Sequence, residues 1–592
     1  MNIVRILKDI TALKAVGIII AVGFLVYGNT LVNEMLWDDY DLIINNEYIR
    51  DWKYFPKYFS ENLVAGSGIM SNYWRPLLLI SFFIDYKVGG LEPFVYHLQN
   101  MSWHILSSVL FFVLLRRLSL SISVSLLSSL LFLVHPVQTE AITYISGRSD
   151  PMHMTFIFAG LICFVKSIEN KLNKKYYFLS IVLFILALLT RERSVAFALV
   201  IMWYVFTLYG GIDIWKGYCS GSSTRSKFCS KKNLVIFKYK ILMSSVFAAI
   251  SLGYFSLRMT IISFDSEYLI SESEQNDWSL QGSIVLYIKA IAIYSKLIFW
   301  PANLYVSRVI NAPENIFNIE LIVGVLVMVL FVWIAVRAIK SGDNLVLFLL
   351  GWIGITFLPT LYTFPMHGVL AEHWLYQVFF GIFTMIARYI SLPLNLIRNK
   401  YILGLALILI IFGLISLSIR TVVRNTDWRE PKEFFEKNIS LGGKSILIYM
   451  NLGMEYERDG DYDKAFTMYE KVIKKNEDIF WGWYNMGNLY RQTNNNVKAL
   501  EMYRESISRR PDFLSAYKNS AVIYMKEEKR DEAITIIKEF IDKYPENIEA
   551  LFCVAGIYHQ EGDLKNAYEY IERVLKIDPD NKLAKELVKN GG

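Results

Sequence analysis

Apolar runs recur along the chain as far as Arg420 and then stop. Runs such as 100–115, 176–190, 318–336 and 401–419 are each about long enough to cross a hydrocarbon layer of ~30 Å. Candidate spans fall at roughly 13–33, 97–115, 120–135, 151–168, 176–190, 193–210, 239–257, 319–338, 344–361, 373–389 and 401–420, about 11 spans. The segment 281–300 is equally apolar, but it carries Lys289 and Lys296 and ends at Trp300-Pro301. It is therefore expected as a re-entrant or interfacial helix. Past Arg420 the pattern turns amphipathic and repeats with a period of about 34 residues. Gly453, Gly487, Ala521 and Ala555 share one phase, Tyr456, Tyr490, Tyr524 and Tyr558 a second, and Ala465, Ala499, Ala533 and Ala567 a third. Pro511, Pro545 and Pro579 close the repeats. Small residues let paired helices approach, the tyrosine is expected to pack between them, and proline stops the second helix.

The architecture expected is all-α: a polytopic membrane helix bundle followed by an α-solenoid of helical repeats. Residues 1–425 form the membrane domain with a long outer loop at 34–96, 426–445 a linker, and 446–592 four repeats with a polar cap. Lys8 and Lys14 precede the first apolar run without a small-residue cleavage site behind it, so that run is read as a retained helix.

Charge orients the bundle. With the N-terminus cytoplasmic, Arg116/Arg117, Lys171/Lys174/Lys175, the basic 216–240 stretch, Arg337/Lys340 and Arg388/Arg398/Lys400 all fall on the cytoplasmic side. An odd number of spans then places the repeats on the opposite side. The Ser/Gly stretch at 220–226 reads as a flexible part of the cytoplasmic loop. A composition that is 54% hydrophobic and 19% charged agrees with a membrane class. The net charge of +7 is dispersed and gives no nucleic-acid stripe, and the cysteines, Cys163, Cys219, Cys229 and Cys553, form neither a disulfide framework nor a metal motif.

Candidate chemistry concentrates in the segments left on the outer face, 34–96, 135–150 and 362–373. The first opens Trp37-Asp38-Asp39-Tyr40-Asp41 and closes Asn72-Tyr73-Trp74-Arg75-Pro76. Adjacent acids at the membrane surface suit a base or a metal ligand, or simply a solvated helix start. Arg75 is a fixed cation at the rim, suited to phosphate or to lipid headgroups. The second compresses His135, Glu140, Arg148 and Asp150 between two spans, and Arg191-Glu192-Arg193 forms a charged hinge between two more. Glu372 and His373 start a late span. Six histidines, His97, His104, His135, His153, His367 and His373, cluster toward this face, which suggests a water-filled cavity.

Together, Trp37-Asp38-Asp39, Tyr73-Trp74-Arg75-Pro76-Leu77, His97-Leu98-Gln99-Asn100 with the later His104, His135-Pro136-Val137-Gln138-Thr139-Glu140-Ala141, Gly147-Arg148-Ser149-Asp150 and the tetratricopeptide-like repeats resemble the transmembrane-and-tetratricopeptide-repeat O-mannosyltransferases of the glycosyltransferase-C superfamily. The likeness covers nearly the whole chain. It implies a membrane glycosyltransferase that transfers a sugar, typically mannose, from a polyprenyl phosphate to a protein hydroxyl, with Asp38 and Asp39 as the catalytic signature. Where the family has Lys-Glu and Glu-Arg-Tyr-Leu-Tyr, this chain has Arg191-Glu192 and Glu372-His373-Trp374-Leu375-Tyr376.

The reaction expected is an inverting single displacement, with Asp38 or Asp39 as general base. Arg75, Arg148 and Arg193 are the candidate cations for the leaving phosphate, and His135, Glu140, Asp150, Glu192, Glu372 and His373 are further donor contacts. A divalent metal held by acids or histidines is an alternative source of positive charge. The repeats would present an acceptor polypeptide. The competing readings are a membrane-anchored repeat scaffold without catalysis, for which so many spans with acidic loops are excessive, and a transporter, for which central charges and duplication are lacking.

Overall fold

Side-chain caps mark where the apolar runs become helices. Thr11, Ser121, Asn173, Asn318 and Asn399 each accept a hydrogen bond from a backbone N–H of the first turn that follows. The computed structural model describes residues 10–169, 173–209, 212, 231–260, 262, 264, 280–310, 317–367, 369–394 and 396–591. Lys171, Cys219, Cys229 and the 213–230 part of the basic loop, with its Ser/Gly stretch, lie outside the described residues, as does the side chain of His367.

The chain divides into two units, Met1–Gly443 and Lys444–Gly592. In the first, the main helices are α1 (Ala12–Tyr27), α2 (Pro76–Gly89), α3 (Pro93–Arg117), α4 (Ile122–Val134), α5 (Ser149–Glu169), α6 (Lys174–Thr190), α7 (Ala196–Leu208), α8 (Lys231–Thr260), α9 (Leu280–Phe299), α10 (Ile319–Ser341), α11 (Asn344–His367), α12 (Phe379–Leu394), α13 (Lys400–Thr426) and α14 (Pro431–Ser440). The only strands among the described residues are a two-residue antiparallel ladder, Arg308–Val309 with Val369–Leu370.

Among the described residues, seven helices are long and apolar enough to cross a membrane, or up to eight if the pair α4 plus Pro136–Thr143, bent by 51°, counts as one. This is fewer than the eleven expected. The helices at 174–190, 196–208 and 379–394 are too short to qualify, because breaks at Arg191 and around 369–378 cut the apolar runs; the described apolar part of the span expected at 344–361, Asn344–Pro359, is also too short, whereas 281–300, expected as re-entrant, is one of the seven. Large apolar side chains along α10 and α13 remain exposed, Leu326, Trp333, Leu409 and Phe412 among them, as expected of a lipid-facing surface.

The ends of these helices sort by charge. The turns after α3 and α5 meet through Arg117–Glu169 at 3.8 Å, and the turn after α10 is tied to α12 by Asp343–Arg388 at 2.7 Å. At the other end lie the 34–75 loop, the 135–148 turn, Glu192 and Glu372. The two helices that bracket the unit, α1 and α13, run parallel and finish together at this acidic end. Asn425 Nδ2 donates to Val26 O and to Asn29 Oδ1, both at 2.8 Å, and Asn29 Nδ2 donates to Val422 O at 2.9 Å. Beyond them, Glu34 N donates to Arg429 O at 2.9 Å. The chain therefore leaves the bundle at the end that carries the acidic loop, whatever the number of crossings between. Helix α9 fits the same frame. It is long and apolar enough to span, yet α8 ends against Asn72 through Arg258 and α9 ends with Ile298 O beside His135 Nε2 at 2.9 Å. Both helices finish at the acidic end, so α9 is not a simple return leg of α8. Residues 426–443, expected as linker, belong to the first unit. In α14, Phe434 and Phe435 pack on Trp37 with ring centroids 6.4 and 6.2 Å away.

The second unit is a row of helix pairs, Ile446–Arg458 with Tyr462–Lys475, Phe480–Gln492 with Asn496–Arg509, Leu514–Lys526 with Arg530–Lys543 and Ile548–Gln560 with Leu564–Ile577, closed by Lys582–Gly591. A Cβ on Gly453 would lie 2.5 Å from the Tyr469 ring, and one on Gly487 would lie 2.7 Å from Tyr503. These glycines are small because a tyrosine of the second helix fills the space. The tyrosines of the repeat pattern lie on the first helices and pack across from there, Tyr490 on Phe466 at 4.6 Å and Tyr558 on Tyr570 at 5.9 Å.

The α1–α13 junction is testable. Asn425 is fully buried and its amide makes three hydrogen bonds, the third from Thr143 Oγ1 at 3.0 Å. Asn425→Ala is expected to lower stability by about 3 kcal/mol, about one per bond lost, read as an earlier thermal unfolding transition in detergent. An unchanged transition would mean that the helices are held elsewhere.

Candidate active site

The acidic pair splits into two roles by burial. Trp37 adopts φ +54°, a left-handed conformation rare for a large residue, and this turns the two following carboxylates in different directions. Asp39 points inward and is 1% exposed. Its Oδ2 accepts from Leu36 N at 3.1 Å, and its Oδ1 accepts from Ser146 N at 2.9 Å and Ser146 Oγ at 2.5 Å. Asp38 is exposed, and its backbone N–H donates to Tyr144 Oη at 2.8 Å. Trp37 stacks on Tyr144 at 6.3 Å, and Tyr144 lies 5.5 Å from Trp428. The loop is thus held by hydrogen bonds on one side and by aromatic rings on the other. The turn that receives it is tight: a Cβ on Gly147 would come within 2.7 Å of Glu140 O.

Desolvation raises the pKa of both carboxyls. For Asp38 the rise is to about 6, opposed by the Tyr144 hydrogen bond and by the charges of His373 and Arg75. Water reaching the exposed carboxylate moderates it further. Asp39 is pushed to about 7 by burial, against the pull of Ser146 and Leu36 N–H. Asp38 is thus a solvent-facing carboxylate of moderate basicity with a histidine and an arginine in electrostatic reach.

Opposite it stand the residues of the late turn. His373 Nδ1 bonds Glu140 Oε1 at 2.8 Å, and His373 N donates to Glu140 Oε2 at 2.9 Å, so both carboxylate oxygens of Glu140 are engaged. Glu372 is buried. Its Oε1 accepts from Tyr305 N at 2.8 Å and lies 4.0 Å from Arg308, while its Oε2 lies 3.9 Å from Arg424. Burial pushes the Glu372 carboxyl upward, against the opposing pull of Arg424 and with a further rise from Glu140.

The expected cations separate into committed and available ones. Arg75 forms a bidentate pair with Glu192, Nε to Oε1 at 3.2 Å and Nη2 to Oε2 at 3.0 Å, and its guanidinium lies 4.6 Å from the Tyr73 ring centroid. Arg191 pairs with Asp150 at 2.9 Å. The charged hinge therefore sends its neighbouring side chains to two different loops, which accounts for Glu192 between two arginines. Arg148 is 0% exposed and enclosed by Asp85, Asn100, Gln99, Ser81 and Tyr96 O. It holds α2, α3 and α5 together with its donors committed to them, contrary to the expected phosphate contact. Arg193 lies over the Trp374 ring at 4.9 Å, and among the described residues no carboxylate lies within ion-pair distance of it.

The histidine cluster also resolves. His135 is buried, accepting from Val137 N and bonding Ile298 O, so it ties turns together and does not face a donor. His104 bridges Tyr376 and Leu133 O, and His153 bonds Ser149 O. Of those described, His373 is the histidine whose charge acts on the Asp38 carboxyl. Among the described residues no group of three or more His, Cys, Asp or Glu has the geometry to hold a metal ion. The sequence reading did not single out Tyr144, Ser146, Arg308 or Arg424. Arg424 had a signal, a charged Arg-Asn pair at the end of an apolar run; Arg308 sits in irregular chain with none.

Tetratricopeptide-repeat family models match residues 446–478, 482–513 and 548–581, and a second such model matches 519–547. The chain is 22% identical to Protein O-mannosyl-transferase TMTC3 of Homo sapiens over 493 residues, 79% of this chain and 52% of that protein. It is 36% identical to Protein O-mannosyl-transferase tmtc2 of Xenopus laevis over 155 residues, 26% of this chain and 18% of that one. A crystal structure of MamA protein is similar at 18% identity with a TM-score of 0.22, covering 25% of this chain and 81% of that chain. The chain spans about half the length of the human and mouse TMTC3 relatives. Its homologues are O-mannosyltransferases of the kind that the loop motifs and repeats resemble.

The enclosure of Arg148 makes its loss a folding defect. Arg148→Ala leaves Asp85 buried without its partner and is expected to cost about 3–5 kcal/mol, seen as loss of folded protein in detergent extracts. A well-folded Arg148→Ala protein with weakened donor binding would restore the phosphate role.

Proposed function

We propose that this chain transfers a mannosyl group from a polyprenyl-phosphate carrier to a hydroxyl of a protein acceptor. It does so at the non-cytoplasmic face of a membrane, with Asp38 as the general base. The observation that carries this reading is the division of labour in the acidic pair: Asp39 is locked by three hydrogen bonds while Asp38 stands exposed beside His373 and Arg75. A base must be both accessible and fixed, and the clamp on Asp39 supplies the second condition. The named activity of the relatives supports the sugar and the acceptor class. The basic loops, read as cytoplasmic, support the orientation.

In the reaction the acceptor oxygen attacks the anomeric carbon as Asp38 takes its proton. The bond from that carbon to the phosphate oxygen breaks, and the pair of electrons leaves with the phosphate. Inversion follows from the single displacement. Negative charge grows on the departing phosphate and needs fixed cations. Arg193, stacked on Trp374, and Arg308, at the edge of Glu372, are placed for this; Arg75 acts through its pair with Glu192. The repeats supply a helical surface for the acceptor polypeptide.

The test is transfer from a radiolabelled polyprenyl-phosphate mannose to a protein acceptor by the purified full chain, with donor binding and thermal stability measured alongside. Asp38→Asn is expected to lower turnover by on the order of 10²-fold or more with donor binding and stability retained. Asp39→Asn places an amide against the Leu36 and Ser146 donors, so it is expected to lower stability by about 1–3 kcal/mol together with turnover. Wild-type turnover in Asp38→Asn contradicts the proposed base.

A further inference from the structure

Two lysines in an apolar helix need a physical reason, because an ammonium at membrane depth is costly unless it meets a partner or water. Lys289 and Lys296 lie on one face of α9, seven residues or about 10 Å apart along the axis, with Ile293, Leu297 and Trp300 on the same face. That face lines a cleft of about 510 Å³, completed by the irregular segment with Tyr305 and Arg308 and by Glu320 at the start of α10. The volume exceeds what a phosphate needs and falls in the range of small-molecule sites. Charge in the cleft is positive. The described lining carries Lys289, Lys296 and Arg308 against one acid, Glu320, which Lys289 meets at 3.3 Å. Arg308 is braced for anion binding: its guanidinium lies 3.8 Å from the Tyr305 ring centroid and donates to Asn303 O at 2.9 Å. It also stands 4.0 Å from Glu372, so the cleft borders the candidate active site through a single side chain.

The cleft therefore offers cations at one level and an apolar strip along the same helix, ending at the exposed Trp300, a residue type favoured at membrane interfaces. We propose that it holds the phosphate and the first isoprene units of the polyprenyl-phosphate carrier, with Lys296 and Arg308 on the phosphate and Ile293, Leu297 and Trp300 along the chain. This rests on the glycosyl-transfer reading and assigns that reaction's lipid to a place. Arg308 would then meet the phosphate at the point where it parts from the sugar, and Glu372 would set the orientation of Arg308.

The experiment measures retention of a radiolabelled C55 polyprenyl monophosphate by the full chain in nanodiscs. Competitors are unlabelled polyprenyl monophosphate, polyprenol, phosphatidylglycerol and inorganic phosphate. Lys296→Gln and Arg308→Gln are each expected to weaken retention about tenfold, the loss of one charge-assisted contact. Arg308→Lys should recover part of it, which separates lost charge from misfolding. Polyprenol, phosphatidylglycerol and inorganic phosphate should each compete poorly. Undiminished retention in both Gln variants overturns the assignment, as does equal competition by phosphatidylglycerol, which would mark ordinary headgroup anchoring, or by inorganic phosphate, which would mark a site for the anion alone. The Asp38→Asn protein should retain lipid as the wild type does. Active Asp38→Asn protein with lipid retention lost in the Gln variants would refute the base and keep the cleft; the opposite pattern would refute the cleft and keep the base.

Discussion

The clamp on Asp39 is the interaction on which the rest of the site depends. A carboxylate 1% exposed survives burial only when its lone pairs are met, and here Leu36 N, Ser146 N and Ser146 Oγ meet them. Those bonds fasten the loop after α1 to the turn before α5, residues 107 apart in sequence. Asp38, its neighbour, is thereby held with its carboxylate open to solvent beside the Tyr144 hydroxyl. The left-handed Trp37 that separates the two orientations is stabilised by Tyr144, Phe434 and Phe435, so α14 buttresses the acidic loop.

Around this point the structure spends most of its arginines on architecture. Arg148 ties three helices through Asp85 and a ring of neutral acceptors, Arg191 reaches Asp150, and Arg75 reaches Glu192. Breaking either of the first two leaves a buried charge, the costly case for ion pairs. The guanidiniums of Arg193 and Arg308 rest on the Trp374 and Tyr305 rings, which fixes their direction, and Arg308 keeps a loose contact with Glu372 at 4.0 Å. A site that must bind a phosphate and later release it is better served by cations oriented by rings than by cations neutralised by carboxylates.

Much of this was legible in the sequence. The length of the apolar runs and the period of 34 in the repeats are local signals, and they located the helices, the repeats and the acidic loop. The adjacency of Asp38 and Asp39 was legible as well, but their different fates were not, because the choice depends on Ser146 and Tyr144 brought in from another loop. The same limit explains Arg148. A Gly-Arg-Ser-Asp turn at a membrane surface looks like a phosphate contact until Asp85 and Asn100 close over it. The repeat tyrosines show it in miniature: phase identified a recurring position, whereas the space beside Gly453 was taken by Tyr469, which lies on the partner helix. The cleft on α9 was half visible, as two lysines out of place.

The central claim is that an ionised Asp38 accepts the acceptor's proton, and the pH dependence of mannosyl transfer tests it most directly. Desolvation raises the Asp38 pKa above the ordinary carboxylate range, toward about 6, with water at the exposed carboxylate holding it back. Only the deprotonated form can act, so the rate should be constant at higher pH and fall about tenfold per unit as pH drops through that value. The groups facing Asp38 are Tyr144, Asp41, His373 and Arg75. In a His373→Gln background the limb should persist, moved upward because a cation that lowers the Asp38 pKa is gone. A wild-type profile flat from pH 5 to pH 8, or a limb that vanishes with His373, would contradict the account.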